Sequence, residues 1–139
     1  MIEVTVKIEF DTAHRVIGHQ NKCKYLHGHR FVLYISAISK ELNELGMVVD
    51  FGELKQIMKN WINHNFDHNV ILFDKDKKLG ESISECTGQS IYYLETNPTA
   101  ENIALHLKNI IIPKLFEHKP FEITKVKLYE TPNAYVEVI

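Results

Sequence analysis

An α+β fold in the order ββααββ is what this chain predicts: a four-stranded antiparallel sheet with two helices on one face. Three observations carry that reading. Ile2, Val4, Val6, Ile8 and Phe10 alternate with polar residues at the start. Phe51, Leu54, Ile57, Met58, Trp61 and Ile62 then recur at helical spacing. Strand patterning returns after residue 122, with Val126, Leu128 and Glu130 on one parity. A period of two marks a half-buried strand and a period near 3.6 an amphipathic helix. Helices placed between two strand pairs cover one face of an antiparallel sheet.

The first strand carries its inward parity as far as His14. Residues 15–26 connect it to the second strand, with Gly18 and Asn21 as the strongest turn-formers. The second strand runs from about His27 to Ile38, and Phe31, Leu33, Ile35 and Ala37 share the parity of His27 and His29. Consecutive strands usually neighbour each other, so antiparallel pairing sets His14 beside His27 and His29. Asp50 and Glu53 form a helix start signal close to a capping box. The first helix spans about Phe51 to His64, with Val48, Val49 and Phe51 pinning its start against the sheet.

Beyond it the pattern weakens. Val70–Phe73 is a short apolar run, Asp74–Lys78 reads as an exposed charged turn, residues 79–90 read as irregular, and Ile91–Leu94 as a short strand. Pro98 and Thr99 open the second helix, capped by Thr99 or Asn97. Ile103, Leu107, Ile110, Ile111 and Leu115 share a face of that helix, and Pro113 kinks it or ends it near Ile112. Ile123–Glu130 is the third strand, Pro132 and Asn133 turn the chain, and Ala134–Ile139 is the fourth. Four long strands leave two edges, and open edges predict assembly through continued sheet.

Composition sets outer bounds. The 139 residues suit one domain spanning 1–139, and 45% apolar with 24% charged residues describe a globular chain. A formal net charge of -2 gives no footprint for nucleic acid or an anionic membrane. No apolar run is long enough to span a bilayer, and no basic-then-apolar leader opens the chain. The expectation is a cytoplasmic protein whose two cysteines, Cys23 and Cys86, are reduced.

Eight histidines direct attention to metal or proton chemistry. His27 and His29 sit one residue apart, so an extended segment sends both rings to one face. With His14 added, three imidazoles and an open fourth position make the pattern of a catalytic zinc site. Any one of them alone would read as a surface or core residue. Cys23, four residues before His27, is either a fourth ligand or a base or nucleophile. Asp67-His68 can pair a carboxylate with an imidazole, although such a dipeptide is more often a surface loop. Glu130 falls on the inward parity, where it faces a ligand with two adjacent N–H donors, or water at a sheet edge. His19, His64, His106 and His118 carry no partner signal, and His106 and His118 read as solvated.

Taken together, Phe10-Asp-Thr-Ala-His14, Cys23-x-x-x-His27-Gly-His29, Gly46-Met-Val-Val-Asp50-Phe51, Asp67-His68, Pro98-Thr99-Ala-Glu101-Asn102 and Glu130-Thr131 span nearly the whole chain. In this order and spacing it resembles the 6-pyruvoyl-tetrahydropterin synthase superfamily. The closer resemblance is to its bacterial queuosine-pathway branch, the 6-carboxy-5,6,7,8-tetrahydropterin synthases. The resemblance implies a tunnelling fold, whose sheets join between subunits into barrels, as homohexamers built from two trimers. It implies zinc on His14, His27 and His29, Cys23 as the proton-transferring thiol, and Asp67 with His68 as the other half of the acid–base apparatus. Glu130 would anchor a pterin ring and Thr99 would line its pocket, with active sites lying between subunits. The implied reaction is that of a lyase taking 7,8-dihydroneopterin triphosphate to 6-carboxy-5,6,7,8-tetrahydropterin, with release of triphosphate and acetaldehyde. The four-residue offset from Cys23 to His27 looks like this branch; the alternatives are the pyruvoyl-forming reaction and a zinc-containing protein that binds pterin or purine without turnover. Two departures bear on the pocket mouth. The branch has Leu-Asn shortly after Asp-His where this chain reads Asn69-Val70-Ile71-Leu72-Phe73, and the segment 74–97 is longer than in compact members.

Overall fold

A computed structural model describes all 139 residues. Six strands form one sheet in the order β4-β3-β1-β2-β5-β6. β1 (Ile2–His14) and β2 (His27–Ser39) pair antiparallel over their whole length, from Ile2 opposite Ser39 to His14 opposite His27. β5 (Glu122–Thr131) joins β2 antiparallel, and β6 (Ala134–Val138) joins β5. These four are the strands the alternation predicts.

The other two strands correct the expected four-stranded antiparallel sheet. β3 (Val70–Phe73) lies parallel to the end of β1, with Ala13 opposite Val70 and His14 opposite Ile71. β4 (Ile91–Leu94) lies parallel to β3. Between them runs α2 (Lys77–Thr87), in the stretch expected to be irregular. Parallel neighbours need a crossover, and α2 supplies it. Its sequence hides it, because only Leu79 and Ile83 repeat at helical spacing and neither is fully buried. α2 docks instead through Gly80, where an added Cβ would overlap the Tyr93 hydroxyl. Gly88, at φ 75°, ends the helix in the left-handed conformation that suits glycine.

Asp76 is also unlike its expectation. It is buried, and its carboxylate takes two hydrogen bonds from the Arg15 guanidinium at 2.5 and 2.6 Å. That bidentate pair ties the residue after His14 to the crossover. The end of β1 is therefore held by β2 on one side, by β3 on the other, and by Arg15 from behind.

α1 (Phe51–Asn65) packs on β1, and its buried stripe is Leu54, Met58 and Ile62. The Asp50 carboxylate accepts from the N–H groups of Gly52 and Glu53, at 2.7 and 3.2 Å. Glu53 does not complete a capping box; its carboxylate pairs with Lys119 at 2.8 Å. Phe51 is 62% exposed, so of the three residues expected to pin the helix start only Val48 and Val49 are buried. α3 (Ala100–His106) is capped by the Thr99 hydroxyl, which accepts from Asn102 N–H at 3.1 Å.

The helix does not stop before Pro113. It continues through a π turn at Leu107–Ile111 into α4 (Ile112–Leu115). Proline removes one i→i-4 donor, and the wider turn carries the chain past that gap. The extra residue rotates the buried face onto Leu107, Ile111 and Ile112 and leaves Ile110 46% exposed. His106 is likewise not solvated; its Nε2 meets the Tyr92 hydroxyl at 2.7 Å.

The core lies between the helices and one sheet face. It is built from Val6, Ile8 and Phe10 of β1, Phe31, Leu33 and Ile35 of β2, and Val126 and Leu128 of β5. The opposite face is polar, with Glu3–Lys125 and Asp11–Arg30 ion pairs and a Thr5–Ser36 hydrogen bond of 2.8 Å. No helix is long and apolar enough to cross a membrane.

Candidate metal centre and acid–base dyad

Pairing of β1 with β2 brings three imidazoles to one end of the core. His14 lies opposite His27, and His29 lies opposite Thr12. Ring centroids are 4.7 Å apart for His14–His27 and for His27–His29, and 5.3 Å for His14–His29. Phe31 closes the inner side, edge-on to both His14 and His29. The side chain two residues inward along β2 thus separates the polar cluster from the apolar core.

Hydrogen bonds decide which nitrogen His14 and His27 offer. His14 Nδ1 stands 2.6 Å from the Pro98 carbonyl, and His27 Nδ1 stands 2.7 Å from the Tyr25 carbonyl. A carbonyl only accepts, so both Nδ1 atoms carry the proton and both Nε2 atoms present a lone pair. The Nε2 atoms of His14 and His29 are buried with no hydrogen-bond partner. Burial lowers the pKa of both rings, against the opposing pull of Glu130 and, for His14, of the Pro98 carbonyl. Neutral imidazoles with orphaned, converging lone pairs are the donor set a transition metal needs, and these residues fit one.

Glu130 joins this group. One carboxylate oxygen and the three imidazole nitrogens all lie within 4.8 Å of one another, and Glu130 Oε1 is 3.2 Å from His29 Nε2. β5 places it there at an irregularity. Tyr129 faces Tyr135 and Thr131 faces Ala134, so Glu130 is the extra residue of a β-bulge. Bulges re-aim side chains beside functional sites. Cys23, in a short helical turn at Lys22–Lys24, is a half-buried free thiol and stands outside the group.

Asp67 and His68 form a second cluster, with Asp11. His68 Nδ1 meets Asp67 at 2.9 Å, and the other Asp67 oxygen accepts from the Asp11 N–H, also at 2.9 Å. Burial alone would raise the Asp67 carboxyl, but the Asp11 N–H and His68 outweigh it and hold it below the usual range. The same contact raises the His68 imidazole. His68 occupies the left-handed region at φ 58°, unusual for a residue other than glycine. Its N–H donates to the Asp11 carbonyl at 2.7 Å, and its own carbonyl accepts from Gln89 Nε2 at 2.8 Å. His68 and His29 border one recess of about 420 Å³. The dyad therefore opens beside the imidazole cluster, while Cys23 belongs to neither group.

Several site contributors are invisible to sequence reasoning. The Pro98 and Tyr25 carbonyls act through the backbone, which no residue type announces. Thr99 is spent on its cap, directly after the residue that orients His14. Asn97 holds the loop before β2, exchanging two hydrogen bonds with the Ile17 backbone at 2.9 and 3.0 Å. Arg30, 2.9 Å from Asp11, sits near the dyad because outward parity on β2 matches outward parity on β1.

The fold and these clusters define an α+β protein with converging imidazoles beside a carboxylate–imidazole pair. The profile of the family described as 6-pyruvoyl tetrahydropterin synthase matches residues 3–139, and the chain belongs to that family. It is 61% identical over 138 residues to the 6-carboxy-5,6,7,8-tetrahydropterin synthase of Rickettsia bellii, covering 99% of this chain and 100% of the relative. It is 31% identical over 144 residues to the protein of the same name from Haemophilus influenzae, covering 99% and 98%. Among solved structures, an uncharacterized protein from Wolinella succinogenes superposes with a TM-score of 0.81 at 21% identity, covering 99% of this chain and 97% of that one. The 6-pyruvoyl tetrahydropterin synthase of Caenorhabditis elegans superposes with a TM-score of 0.68 at 23% identity, covering 99% and 94%. At those identities the two structures speak for the fold.

Proposed function

We propose that residues 1–139 act as one catalytic domain, a zinc-dependent lyase of queuosine biosynthesis. It converts 7,8-dihydroneopterin triphosphate and water to 6-carboxy-5,6,7,8-tetrahydropterin, acetaldehyde and triphosphate. The observation that carries this reading is the convergence of three imidazole nitrogens at the end of β1 and β2, with the Nε2 atoms of His14 and His29 buried without partners. The product named for relatives at 56–61% identity supports the choice of reaction. His14, His27 and His29 would hold the zinc, which as a Lewis acid would polarise side-chain hydroxyls of the substrate.

The remaining roles fall to this chain's own groups. Cys23 is the thiol that moves a proton at the substrate side chain, and Asp67–His68 is the partner that takes or returns one. Asp67 orients the ring through Nδ1 and leaves Nε2 free to face substrate. Glu130 accepts hydrogen bonds from the pterin ring N–H and amino group, and Thr99 helps line the pocket from the start of α3. Cys23 belongs to neither the imidazole cluster nor the Asp11–Asp67–His68 cluster. This supports an active site shared between protomers, in a cytoplasmic homohexamer of two trimers whose sheets continue one another at the β4 and β6 edges.

Incubation of the zinc-loaded protein with 7,8-dihydroneopterin triphosphate, with mass analysis of the pterin afterwards, tests the proposal. The expected product has the mass of 6-carboxy-5,6,7,8-tetrahydropterin. A 6-pyruvoyl product assigns the sister reaction, and recovery of bound, unchanged substrate leaves only a binding protein.

A further inference from the structure

The geometry points to a double role for Glu130: its carboxylate is the fourth ligand of the resting metal, and a pterin entering the pocket draws it off. This rests on the metal and pterin-anchoring roles proposed above. Donor atoms held about 2.0–2.1 Å from a tetrahedral zinc lie about 3.3–3.4 Å from each other. Glu130 Oε1 lies 3.2 Å from His29 Nε2, close to such an edge. The pair is not a hydrogen bond, since His29 Nε2 has no hydrogen-bond partner despite that approach. A carboxylate oxygen and an imidazole nitrogen that close, without a hydrogen bond between them, suit two ligands of one cation.

The backbone supplies the freedom to leave. Ladder pairing of β5 with β2 ends at Tyr129 opposite Val32, one residue before Glu130. On its other side Glu130 is the unpaired residue of the bulge. Its side chain is 26% exposed and also borders a cavity of about 500 Å³ together with Gly28, Tyr129 and Pro132. One carboxylate therefore has the metal on one side and room for a ligand on the other. A pterin offering two adjacent N–H donors matches the two oxygens of a carboxylate that has left the metal. The vacated position is then available to the substrate side chain, which couples metal access to recognition of the ring.

The test loads the apoprotein with Co²⁺ and tracks its visible absorption, which reports the donor set. Glu130→Gln and Glu130→Ala are expected to change the spectrum of the metal-saturated protein and to weaken Co²⁺ and Zn²⁺ binding at least about 10-fold in chelator competition. Unsubstituted 7,8-dihydropterin, which has no side chain to reach the metal, is expected to shift the spectrum of the wild-type protein and not of Glu130→Gln. Circular dichroism confirms that each variant is folded. Weaker metal binding with an unchanged saturated spectrum would mean that Glu130 acts only through its charge, and overturns the ligand role. Dihydropterin that binds, by fluorescence quenching, without moving the wild-type spectrum overturns the release. If dihydropterin does not bind, the anchoring role fails and the release with it, while the spectrum of Glu130→Gln still decides the ligand.

Discussion

His68 concentrates the residue-scale physics of this protein. It holds a left-handed backbone conformation that costs on the order of 1 kcal/mol or more outside glycine. Three hydrogen bonds, from its ring, its N–H and its carbonyl, hold it there. Its Asp67 contact raises the ring's pKa above the ordinary value of about 6.5. The folded state thus binds the proton more tightly than the unfolded state, so the pair contributes fully below about pH 6.5. That contribution is lost as pH rises through the folded pKa. NMR titration is expected to place the His68 midpoint above 6.5, and Asp67→Asn to bring it down; an unmoved midpoint would remove Asp67 as the cause. The ring is open to solvent, so the pair matters here for protonation state rather than for stability.

At the scale of elements, caps and irregularities position the site. Asp50 satisfies two orphan N–H groups at the start of α1. Asp50→Ala should cost about 1 kcal/mol in urea unfolding while leaving metal affinity unchanged, because the Asp50 side chain bonds only to the N–H groups of Gly52 and Glu53. Asp76 behaves differently. Asp76→Ala strips Arg15, one residue from His14, of its bidentate partner. Loss of one member of a fully buried pair costs about 3–5 kcal/mol. Arg15 is 34% exposed and recovers water, so the expected loss is smaller than that. Weakened metal binding in the same variant would show that the crossover steadies the end of β1. The Glu130 bulge and the π turn before Pro113 share one logic. Each inserts a residue that redirects side chains, a carboxylate in one case and the buried face of a helix in the other.

For the whole molecule, the imidazole cluster joins β1 and β2 at the end where β3 is added. A metal held there binds the folded chain and not the unfolded one, so it stabilises by mass action. Zinc at 100 times its Kd should add about 2.7 kcal/mol, raising Tm by roughly 10 °C for a chain of this size. His14→Ala should abolish the rise in a thermal scan. The sheet ends at β4 on one side and β6 on the other, and such edges are where sheets extend into neighbours.

β1, β2, α1, the capped start of α3 and the β5–β6 hairpin were legible in the residues alone, because burial of one face imposes a period that can be counted. The meeting of His14, His27 and His29 was equally legible, since parity and one antiparallel pairing suffice for it. The remainder came only with the folded chain. Ile91–Leu94 reads as a strand in the sequence, but its parallel place beside β3 does not; α2 and β3 show little period, because α2 docks through a glycine and β3 is buried along most of its length. The protonated nitrogen of His14 is chosen by a carbonyl 84 positions away. Glu130 reaches the metal cluster through a bulge, which displaces the ladder without leaving a signature in residue type. Periodic burial is written along the chain, whereas hydrogen bonds between distant backbone groups come into being only when the chain has folded.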